Sequence, residues 1–230
     1  MLITRRAVTA ALSLTGLAAL AGLSPLRLIA EAMADVAADV VKPQALPDMA
    51  LGSADAPVTI VEYAAPTCPH CARINKDVFP RIKSEYIDTG KVRYVFREFP
   101  LNIKDLACSM LARSIAKDDA AKYFAIVDIM FRQQNQLIEK TSETLKLIGR
   151  QAGLSVQAVE ECLKDQAMQD KIAADQKFAE DVLKVEGTPD LFHQRPGHCR
   201  RSRIRRIRPT HQIAVENLIR PPGFFRALTP

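Results

Sequence analysis

Two cysteines separated by two residues stand between a strand-like segment and a helix-like one, and this arrangement constrains the fold most. Residues 58–64 read VTIVEYA, a short β-branched run typical of a buried strand. Residues 66–71 read PTCPHC, and apolar side chains then recur at helical spacing to about Tyr86. After Gly90, residues 92–99 read VRYVFREF and predict a second strand. A strand, a helix and a strand in succession predict a βαβ unit with parallel strands and a right-handed crossover.

The next stretch of the chain differs in kind. Residues 102–184 contain no proline and show repeated three- and four-residue apolar spacing, which predicts helices. We expect four of them, with breaks near Asp118, near Lys140 and before Ser155, which is a candidate N-cap. The sequence therefore predicts an α/β domain in which the βαβ half, residues 57–101, is followed by a helical insertion.

Residues 1–34 resemble an export signal. Residues 4–6 read TRR and give a basic start, residues 7–23 are apolar or small, and residues 32–34 read AMA, a cleavage site of the A-x-A type. The paired arginines are similar to a twin-arginine signal, although a plain secretory signal also begins with bases. The alternative is a membrane span, but the apolar stretch lies at the short end of the roughly 20 residues that a bilayer requires. We expect an exported, periplasmic protein in which residues 35–56 form an extended arm.

The formal net charge of +6 belongs to the end of the chain. Residues 190–230 contain nine Arg, no Lys and two acids, so they carry +7 and residues 1–189 carry −1. Because the body of the chain is not basic, its charge gives no reason to expect a nucleic-acid partner. An evolved Arg-rich arm for nucleic acid or acidic lipid is an alternative interpretation of the tail alone.

The CPHC segment places sulfur at the start of a predicted helix. There, unpaired backbone N–H groups and the helix dipole favour an anion at Cys68, and Pro69 fits the first helical turn. His70, as an imidazolium, can stabilise the Cys68 thiolate further, so we expect a Cys68 pKa as low as about 4. A stabilised thiolate is a good leaving group, which would make the disulfide with Cys71 reactive and oxidising.

Other uses of this cysteine pair stay open. A zinc half-site would need further ligands, and the body of the chain holds no second C-x-x-C and no H-x-x-x-H. Soft thiolates also suit copper(I), and a static structural disulfide is the third alternative. We expect no metal and no dissociable cofactor. Glu62, on the strand before the pair, is a candidate buried acid that could exchange a proton with Cys71, the alternative being an exposed place at the strand edge.

Residues 50–189 resemble the DsbA family of thioredoxin-fold thiol oxidases. The resemblance is carried by VTIVEY at residues 58–63, by CPHC at residues 68–71, by the helical insertion and by VEGTP at residues 185–189. The CPHC motif is specific, since thioredoxins themselves usually carry Gly-Pro between their cysteines. The resemblance implies a thioredoxin-like fold with a helical insertion and an activity in thiol-disulfide exchange.

The resemblance also implies roles for individual residues. Cys68 would be the exposed attacking cysteine and Cys71 its buried partner, with Glu62 as the buried acid. Thr188 and Pro189 would form a cis-proline loop beside the disulfide, where backbone groups can pair with an extended substrate strand.

The implied partners are unfolded or newly exported proteins with free cysteines, and a membrane quinone-linked thiol oxidase that restores the disulfide. Alternatives to this oxidase function are a disulfide isomerase or reductase, a thiol-based metal carrier, and an inactive product. Cys108 and Cys162 lie in separate predicted helices, and they either form a second, structural disulfide or serve as small buried apolar residues.

The end of the chain departs from the family. After Pro189 the family continues with a strand, an Asn-Gly turn, another strand and a closing helix, whereas residues 190–230 are rich in Arg, His and Pro. Reading the codons of residues 190–195 one base later permits Thr-Phe-Phe-Ile-Asn-Gly, and the same shift over residues 198–208 permits a second strand and a helix start. We therefore expect a frameshifted tail, with the terminal strands and helix missing or altered. Cys199 would then be an accidental thiol, liable to pair with Cys68.

Overall fold

The computed structural model describes residues 38–195 and 198–203, and a mixed sheet of five strands lies at the centre of these residues. The strands are β1 (Met49–Leu51), β2 (Val58–Ala64), β3 (Val92–Glu98), β4 (Asp190–Arg195) and β5 (His198–Arg203). They lie side by side in the order β1-β3-β2-β4-β5. The predicted export signal, residues 1–34, lies outside the described residues.

The two strands predicted from the sequence form the middle of the sheet. β2 and β3 run parallel, with Val58 opposite Val92 and Ala64 opposite Glu98. Most of their side chains are buried, because helices cover both faces, and this explains the nearly continuous apolar runs. β1 is antiparallel to β3, and β4 is antiparallel to both β2 and β5. The predicted α/β fold is confirmed.

One helical stretch connects the two central strands. It consists of α1 (Pro69–Arg73), a π-helical turn (Ile74–Val78), α2 (Phe79–Ile82) and a second π-helical turn (Lys83–Ile87). Pro80 has no N–H to donate to the carbonyl four residues earlier, and the wider π-helical turns lie on both sides of it. The stretch matches the helix predicted to about Tyr86, and Gly90, with φ of 73°, lies in the turn into β3.

The helical insertion follows β3 and fills residues 102–184. Its helices are α3 (Ile103–Ala116), α4 (Ala120–Arg132), α5 (Gln134–Glu139), α6 (Thr141–Gln151), α7 (Val156–Cys162) and α8 (Gln166–Asp181). The predicted breaks near Asp118, near Lys140 and before Ser155 are present. Ser155 caps α7, because its side chain accepts a hydrogen bond from the Ala158 N–H at 3.0 Å.

The predicted number of four helices is wrong, since this stretch contains six. The two additional breaks lie at Gln133 and around Asp165. Asp165 caps α8 by accepting the Met168 N–H at 3.0 Å. Both interruptions are short and leave the apolar spacing almost unbroken, so periodicity alone does not reveal them. Within the described ranges, no helix is both long and apolar enough to cross a bilayer.

Apolar clusters cover both faces of the sheet. On one face, helices α3 to α7 pack around a cluster that contains Cys68 and Cys71. On the other face, α8 and the segment after it pack around a cluster that contains Tyr63, Phe192 and Cys199. The alternation of side chains along β2 explains the division, since Val61 and Tyr63 point away from Glu62. The cysteine pair therefore lies on the face that helices α3 to α7 of the insertion cover.

A buried ionic cluster ties the sheet to the insertion. Arg113 on α3 forms a two-pronged ion pair with Glu98 at the end of β3, in which one Nη–Oε2 distance is 2.7 Å. The Tyr123 hydroxyl of α4 also donates to Glu98, at 2.7 Å, and Arg113 donates to the Pro47 carbonyl oxygen at 2.6 Å. A buried charge needs such partners, so one carboxylate joins β3, two helices and the segment before β1.

The predicted arm, residues 35–56, is anchored along the part of it that the structure describes. Its residues 49–51 form β1 at the edge of the sheet. The Asp175 carboxylate on α8 accepts the N–H groups of Ala45 at 2.6 Å and Leu46 at 3.0 Å. The arm therefore adds an edge strand and contacts the insertion, which its lack of periodicity did not indicate.

The tail that begins at residue 190 contributes two strands to the sheet. β4 pairs with β2, placing Phe192 opposite Val61, and β5 pairs with β4. These strands, predicted to be missing or altered, are present, because backbone pairing with β2 does not depend on side chains and Leu191 and Phe192 supply an apolar side chain to each face of the sheet. Their composition is altered: buried Asp190 accepts hydrogen bonds from the Arg201 guanidinium. Residues 204–230, in which the closing helix of the family is predicted to be missing or altered, lie outside the described residues.

Candidate redox site

Cys68 lies in the loop between β2 and α1 and is the N-cap residue of that helix. Its backbone is extended, with φ of −76° and ψ of 118°, and Pro69 begins the helix. The Cys68 N–H donates to the Ala65 carbonyl oxygen at 3.0 Å, which closes a turn ahead of the helix. The sulfur thus occupies the position toward which the free N–H groups of the first turn point.

The surroundings of the Cys68 sulfur favour its anion. The Cys71 thiol lowers the pKa of Cys68 from 9.0 to about 6, helped by the nearby Thr188 side chain and by the backbone N–H groups of Cys71 and His70, although burial opposes this. The pKa stays above the value of about 4 assumed from the sequence. The description of Cys68 as the exposed cysteine is wrong for this structure, because only 4% of its surface is accessible.

Cys71 has the opposite character. It lies one turn into the helical stretch, is almost completely buried, and faces the same apolar cluster as Cys68. Burial raises the pKa of the Cys71 thiol well above its ordinary value, and the nearby Glu62 carboxylate raises it further. The two sulfurs are free thiols. One therefore favours the thiolate and the other the thiol, which is the asymmetry that directed thiol-disulfide exchange requires.

Glu62 is buried beneath the cysteine pair, which excludes the alternative of an exposed place at the strand edge. Its Oε2 accepts a hydrogen bond from the Tyr94 hydroxyl at 2.7 Å. Burial raises the pKa of Glu62 from 4.5 to about 7, the Tyr94 hydrogen bond lowers it, and the Cys68 thiolate raises it. The pKa of this carboxyl therefore lies close to neutral pH, near the Cys71 thiol, whose pKa is raised.

The two residues between the cysteines have different surroundings. Pro69 is exposed at the surface, and His70 is half-buried. The His70 Nδ1 atom is buried and has no hydrogen-bond partner in the described part of the chain. The His70 backbone N–H is among the groups that lower the pKa of Cys68, and a role for its imidazole stays a prediction.

Thr188 and Pro189 lie against the Cys68 sulfur from the far end of the domain. The bond between them is cis. The Cys68 Sγ atom lies 3.4 Å from the Thr188 carbonyl oxygen, to which the thiol donates. The buried Thr188 hydroxyl makes no hydrogen bond of ordinary geometry, although it lies near enough to help lower the pKa of Cys68. Chain segments 120 residues apart therefore meet at one sulfur atom.

A clamp from α3 fixes the loop that precedes Cys68, and the sequence analysis missed it. The Asp105 carboxylate accepts the Thr67 N–H at 2.7 Å, the Thr67 hydroxyl at 2.9 Å and the Leu101 N–H at 3.1 Å. Asn102, the N-cap of α3, donates to the same Thr67 hydroxyl at 3.0 Å. The available signal was the pair Asn102 and Asp105 at the start of a predicted helix, but nothing in the sequence connects them with Thr67.

A second clamp comes from α5. The Gln134 side chain donates to the Pro66 carbonyl oxygen at 2.8 Å and to the Cys68 carbonyl oxygen at 3.0 Å. Residues 131–136, which include Gln134, also line an open cavity of about 350 Å³ beside this loop. No sequence signal distinguishes Gln134 from its polar neighbours. The insertion therefore holds both ends of the loop that carries the redox sulfur.

The other three cysteines are buried thiols that are not joined to one another. Cys108 and Cys162 belong to the same apolar cluster as the redox pair, and the Cys162 thiol donates to the Met110 carbonyl oxygen at 3.4 Å. Cys199 lies in the cluster on the opposite face of the sheet. Pairing of Cys199 with Cys68 would require the sheet to open, so the folded domain opposes it.

Within the described ranges, no three side chains of His, Cys, Asp or Glu come together in an arrangement that could hold a metal ion.

Comparison with known proteins gives matches over much of the chain. A family model described as thioredoxin matches residues 44–194. A Rickettsia bellii protein named "Putative protein-disulfide oxidoreductase" is 38% identical over 147 residues, which are 63% of this chain and 56% of that protein. A Bacillus anthracis protein named "Probable disulfide bond formation protein D" is 33% identical over 147 residues, or 62% of this chain and 67% of that protein. The chain thus spans little more than half the length of the Rickettsia relatives that it matches.

Solved structures give the same assignment. Wolbachia pipientis alpha-DsbA1 superposes with a TM-score of 0.66 at 28% identity, over 79% of this chain and 94% of that chain. BdbD from Bacillus subtilis in its oxidised form, at 20% identity and a TM-score of 0.61, covers 75% of this chain and 92% of its own and shows the shared fold. The chain belongs to the thioredoxin family and, within it, to the DsbA-like proteins.

Proposed function

We propose that the chain is an exported thiol:disulfide oxidoreductase that donates the Cys68–Cys71 disulfide to folding proteins. The observation that carries the proposal is the asymmetry of the two sulfurs, with a pKa of about 6 at Cys68 and a strongly raised pKa at Cys71. A sulfur that is stable as a thiolate leaves a mixed disulfide readily, so substrate thiols become oxidised and Cys68 becomes reduced. The names of the relatives agree with this class of activity.

Disulfide donation follows in two exchanges. A substrate thiolate attacks the Cys68 sulfur, so that a bond from the substrate to Cys68 forms and the Cys68–Cys71 bond breaks with Cys71 as the leaving group. A second substrate thiolate then attacks the substrate sulfur of this mixed disulfide, and Cys68 leaves as a thiolate. The substrate has lost two electrons and two protons in all, and the cysteine pair is reduced.

Glu62 is the group that we propose to balance the charge at Cys71. Because the pKa of Cys71 is raised by burial, its thiolate is unstable when the first exchange releases it. A neutral Glu62 can supply the proton, and its carboxylate can take the proton back when Cys71 attacks in the reverse direction. The pKa of about 7 suits both directions near neutral pH.

Substrates of the proposed reaction are unfolded or newly exported proteins with free cysteines. We place their extended segments beside Thr188 and Pro189, because this loop lies against the Cys68 sulfur and loop backbone can pair with a peptide strand. The proposed reoxidant is a membrane quinone-linked thiol oxidase. The proposed location is the periplasm, which the chain would reach through the export signal at residues 1–34. If this is a twin-arginine signal, export would follow the twin-arginine route.

Alkylation of the reduced protein should report the Cys68 thiolate directly. Only the thiolate reacts, so we expect the rate with iodoacetamide to rise with pH, to reach half of its plateau near pH 6, and to change little above neutral pH. Mass spectrometry of the modified peptide and absorbance of the thiolate at low wavelength would follow the same curve. A half-plateau near the ordinary thiol value of 9.0 would contradict the assignment.

The redox potential separates donation from the alternatives of isomerase and reductase. A Cys68 pKa of about 6 lies below the value of about 7 for the thiol of thioredoxin, so the reduced form is stabilised more strongly. At pH 7 this difference of about one pKa unit adds about 1 kcal/mol to the stability of the reduced form, or about 20 mV. We expect equilibration with glutathione to give a potential clearly less negative than about −270 mV, and a value at or below this would favour the reductase.

We also infer that residues 190–230 come from a shifted reading frame. Asp190 and His193 occupy core positions of β4, with 0% and 4% of their surface accessible, where polar residues are unusual. A reading one base later permits Thr and Ile there, which suit these positions better. Sequencing the gene tests the inference, and an intact, independently confirmed frame across codons 189 and 190 would defeat it. If the frameshift is confirmed, the chain could be an inactive product. A cooperative unfolding transition of the purified chain would count against that alternative.

A further inference from the structure

We propose that Tyr94 is a positioning residue that holds the Glu62 carboxylate in the hydrogen-bonded, charged state in which it can take a proton from Cys71. The inference rests on the function proposed for Glu62 and names the group that controls it. Tyr94 lies on β3, away from the CPHC motif, and no pattern in the sequence assigns it to the site.

The register of the two central strands brings the two side chains together. Glu62 on β2 lies opposite Phe96 on β3, and Tyr94 is two residues earlier on the same face, opposite Ile60. Diagonal neighbours of this kind are within reach of an aromatic side chain. The Tyr94 hydroxyl donates to Glu62 Oε2 at 2.7 Å, and both side chains are buried. Away from water, such a bond to a carboxylate is among the strong ones.

The direction of this hydrogen bond is fixed. Burial raises the pKa of Tyr94 well above its ordinary value, and the negative charge of Glu62 raises it further, so the hydroxyl remains a donor. The ring is held by Phe79 on α2 and Phe124 on α4, whose centroids lie 5.2 Å and 6.2 Å from its own. These contacts aim the hydroxyl at Glu62 and leave the ring little freedom to turn away.

Other titratable groups near Glu62 do not replace this donor. Cys68, the N-cap of α1, and Cys71, within α1, face Glu62, and the Cys68 thiolate opposes the ionisation of Glu62. On β4, Leu191 lies opposite Glu62, and buried His193 lies opposite Ile60 on the same face. Tyr94 is the group whose hydrogen bond lowers the pKa of Glu62 against the effect of burial.

The step that depends on Tyr94 is the attack by Cys71 on a mixed disulfide at Cys68. The Cys71 thiol gives its proton to the Glu62 carboxylate, the Cys71–Cys68 bond forms, and the bond from Cys68 to the partner sulfur breaks with the partner leaving as a thiolate. Tyr94 keeps its own proton throughout. Without its hydroxyl, burial keeps Glu62 neutral up to a higher pH, so the proton acceptor is absent near neutral pH.

Replacing Tyr94 with phenylalanine tests this directly, because the ring and its aromatic contacts stay. In the oxidised protein, where Cys68 and Cys71 do not titrate, ¹³C-detected titration of the Glu62 carboxyl should show a midpoint that is higher in Tyr94→Phe by about one pH unit or more. Assignment uses Glu62→Gln, in which the signal disappears, so His193 is not mistaken for it. With a glutathione mixed disulfide at Cys68, the pH of half-maximal glutathione release should rise by the same amount.

The matched control is Tyr63→Phe. This substitution also removes a buried phenol hydroxyl, which accepts a hydrogen bond from Arg97 at 2.9 Å. Tyr63, however, lies on the opposite face of the sheet from Glu62. This variant should leave both midpoints unchanged. Unaltered midpoints in Tyr94→Phe, or equal shifts in the two variants, would overturn the inference.

A second measurement covers the case in which Tyr94→Phe does not fold. In the unmodified protein, the ring resonances of Tyr94 should change with pH at the same midpoint as the Glu62 carboxyl, and in Glu62→Gln this change should be lost. Ring resonances of Tyr94 that do not change over the pH range in which Glu62 titrates would overturn the inference. The carboxyl and ring titrations do not depend on disulfide donation. A failure of the proposed function, seen as a Cys68→Ser variant that still oxidises peptides, is therefore distinguishable from a failure of this inference.

Discussion

Replacing Cys68 with serine should reduce the oxidation of a dithiol peptide to the uncatalysed rate. Serine cannot form a disulfide with Cys71, so neither the oxidised form of the protein nor the mixed disulfide with substrate can exist. The remaining Cys71 cannot substitute, because it is almost completely buried and its pKa is raised well above the ordinary value. The measurement is the fluorescence or mass change of a two-cysteine peptide incubated with residues 35–230, oxidised beforehand, beside the variant.

Cys199→Ser is the matched control for this experiment. It makes the same substitution at another buried thiol, in the cluster on the opposite face of the sheet. We expect Cys199→Ser to keep the rate of the unmodified protein. Equal rates for Cys68→Ser and the unmodified protein would remove Cys68 from the mechanism, and with it the proposed function.

Replacing Arg113 with leucine should lower the free energy of unfolding by about 3–5 kcal/mol. The substitution leaves the buried Glu98 carboxylate without its ion-pair partner, and the Tyr123 hydroxyl alone cannot balance that charge. It also removes the hydrogen bond to the Pro47 carbonyl oxygen, which holds the segment before β1. Urea unfolding followed by circular dichroism measures the change, and a midpoint equal to that of the unmodified protein would contradict it.

Two further variants test whether the loss of stability in Arg113→Leu comes from the burial of the unpaired Glu98 charge. Lys177 and Asp181 form an exposed ion pair on α8, and Lys177→Met should change the unfolding midpoint very little. In the double variant Glu98→Gln/Arg113→Leu the unpaired charge is absent, so much of the lost stability should return. A double variant that is less stable than Arg113→Leu would show that the cost comes from packing instead.

The position of the redox loop shows which parts of the site the sequence predicts and which it does not. A β-branched run, a cysteine and a proline at a helix start suffice to predict β2, the crossover helix and the place of Cys68, since these depend on local propensity and on free N–H groups. The clamps by Asp105 and Gln134 depend on how the insertion folds back over the loop. Their partners lie 38 and 66 residues away in the chain, and no local pattern encodes such a distance.

Glu62 shows the same division within a single residue. An acid inside an apolar strand indicated a raised pKa, but whether the side chain was buried or at an edge was decided by β3 and β4 pairing on both sides of β2. The hydrogen bond from Tyr94 follows from the parallel register, which only the assembled sheet defines. The tail gave the opposite result, because its unusual composition obscured two strands that backbone pairing with β2 can still form.

The sequence by itself determined the α/β class, the βαβ unit with its cysteine pair, and the helical nature of the insertion. These follow from apolar periodicity and from residue preferences at helix starts, which act over a few residues. Tertiary structure alone decided how far the pKa of Cys68 falls and which groups lower it, which hydroxyl holds Glu62, and which side chains fix the active-site loop. These depend on burial and on contacts between segments distant in the chain, and a pKa responds to both.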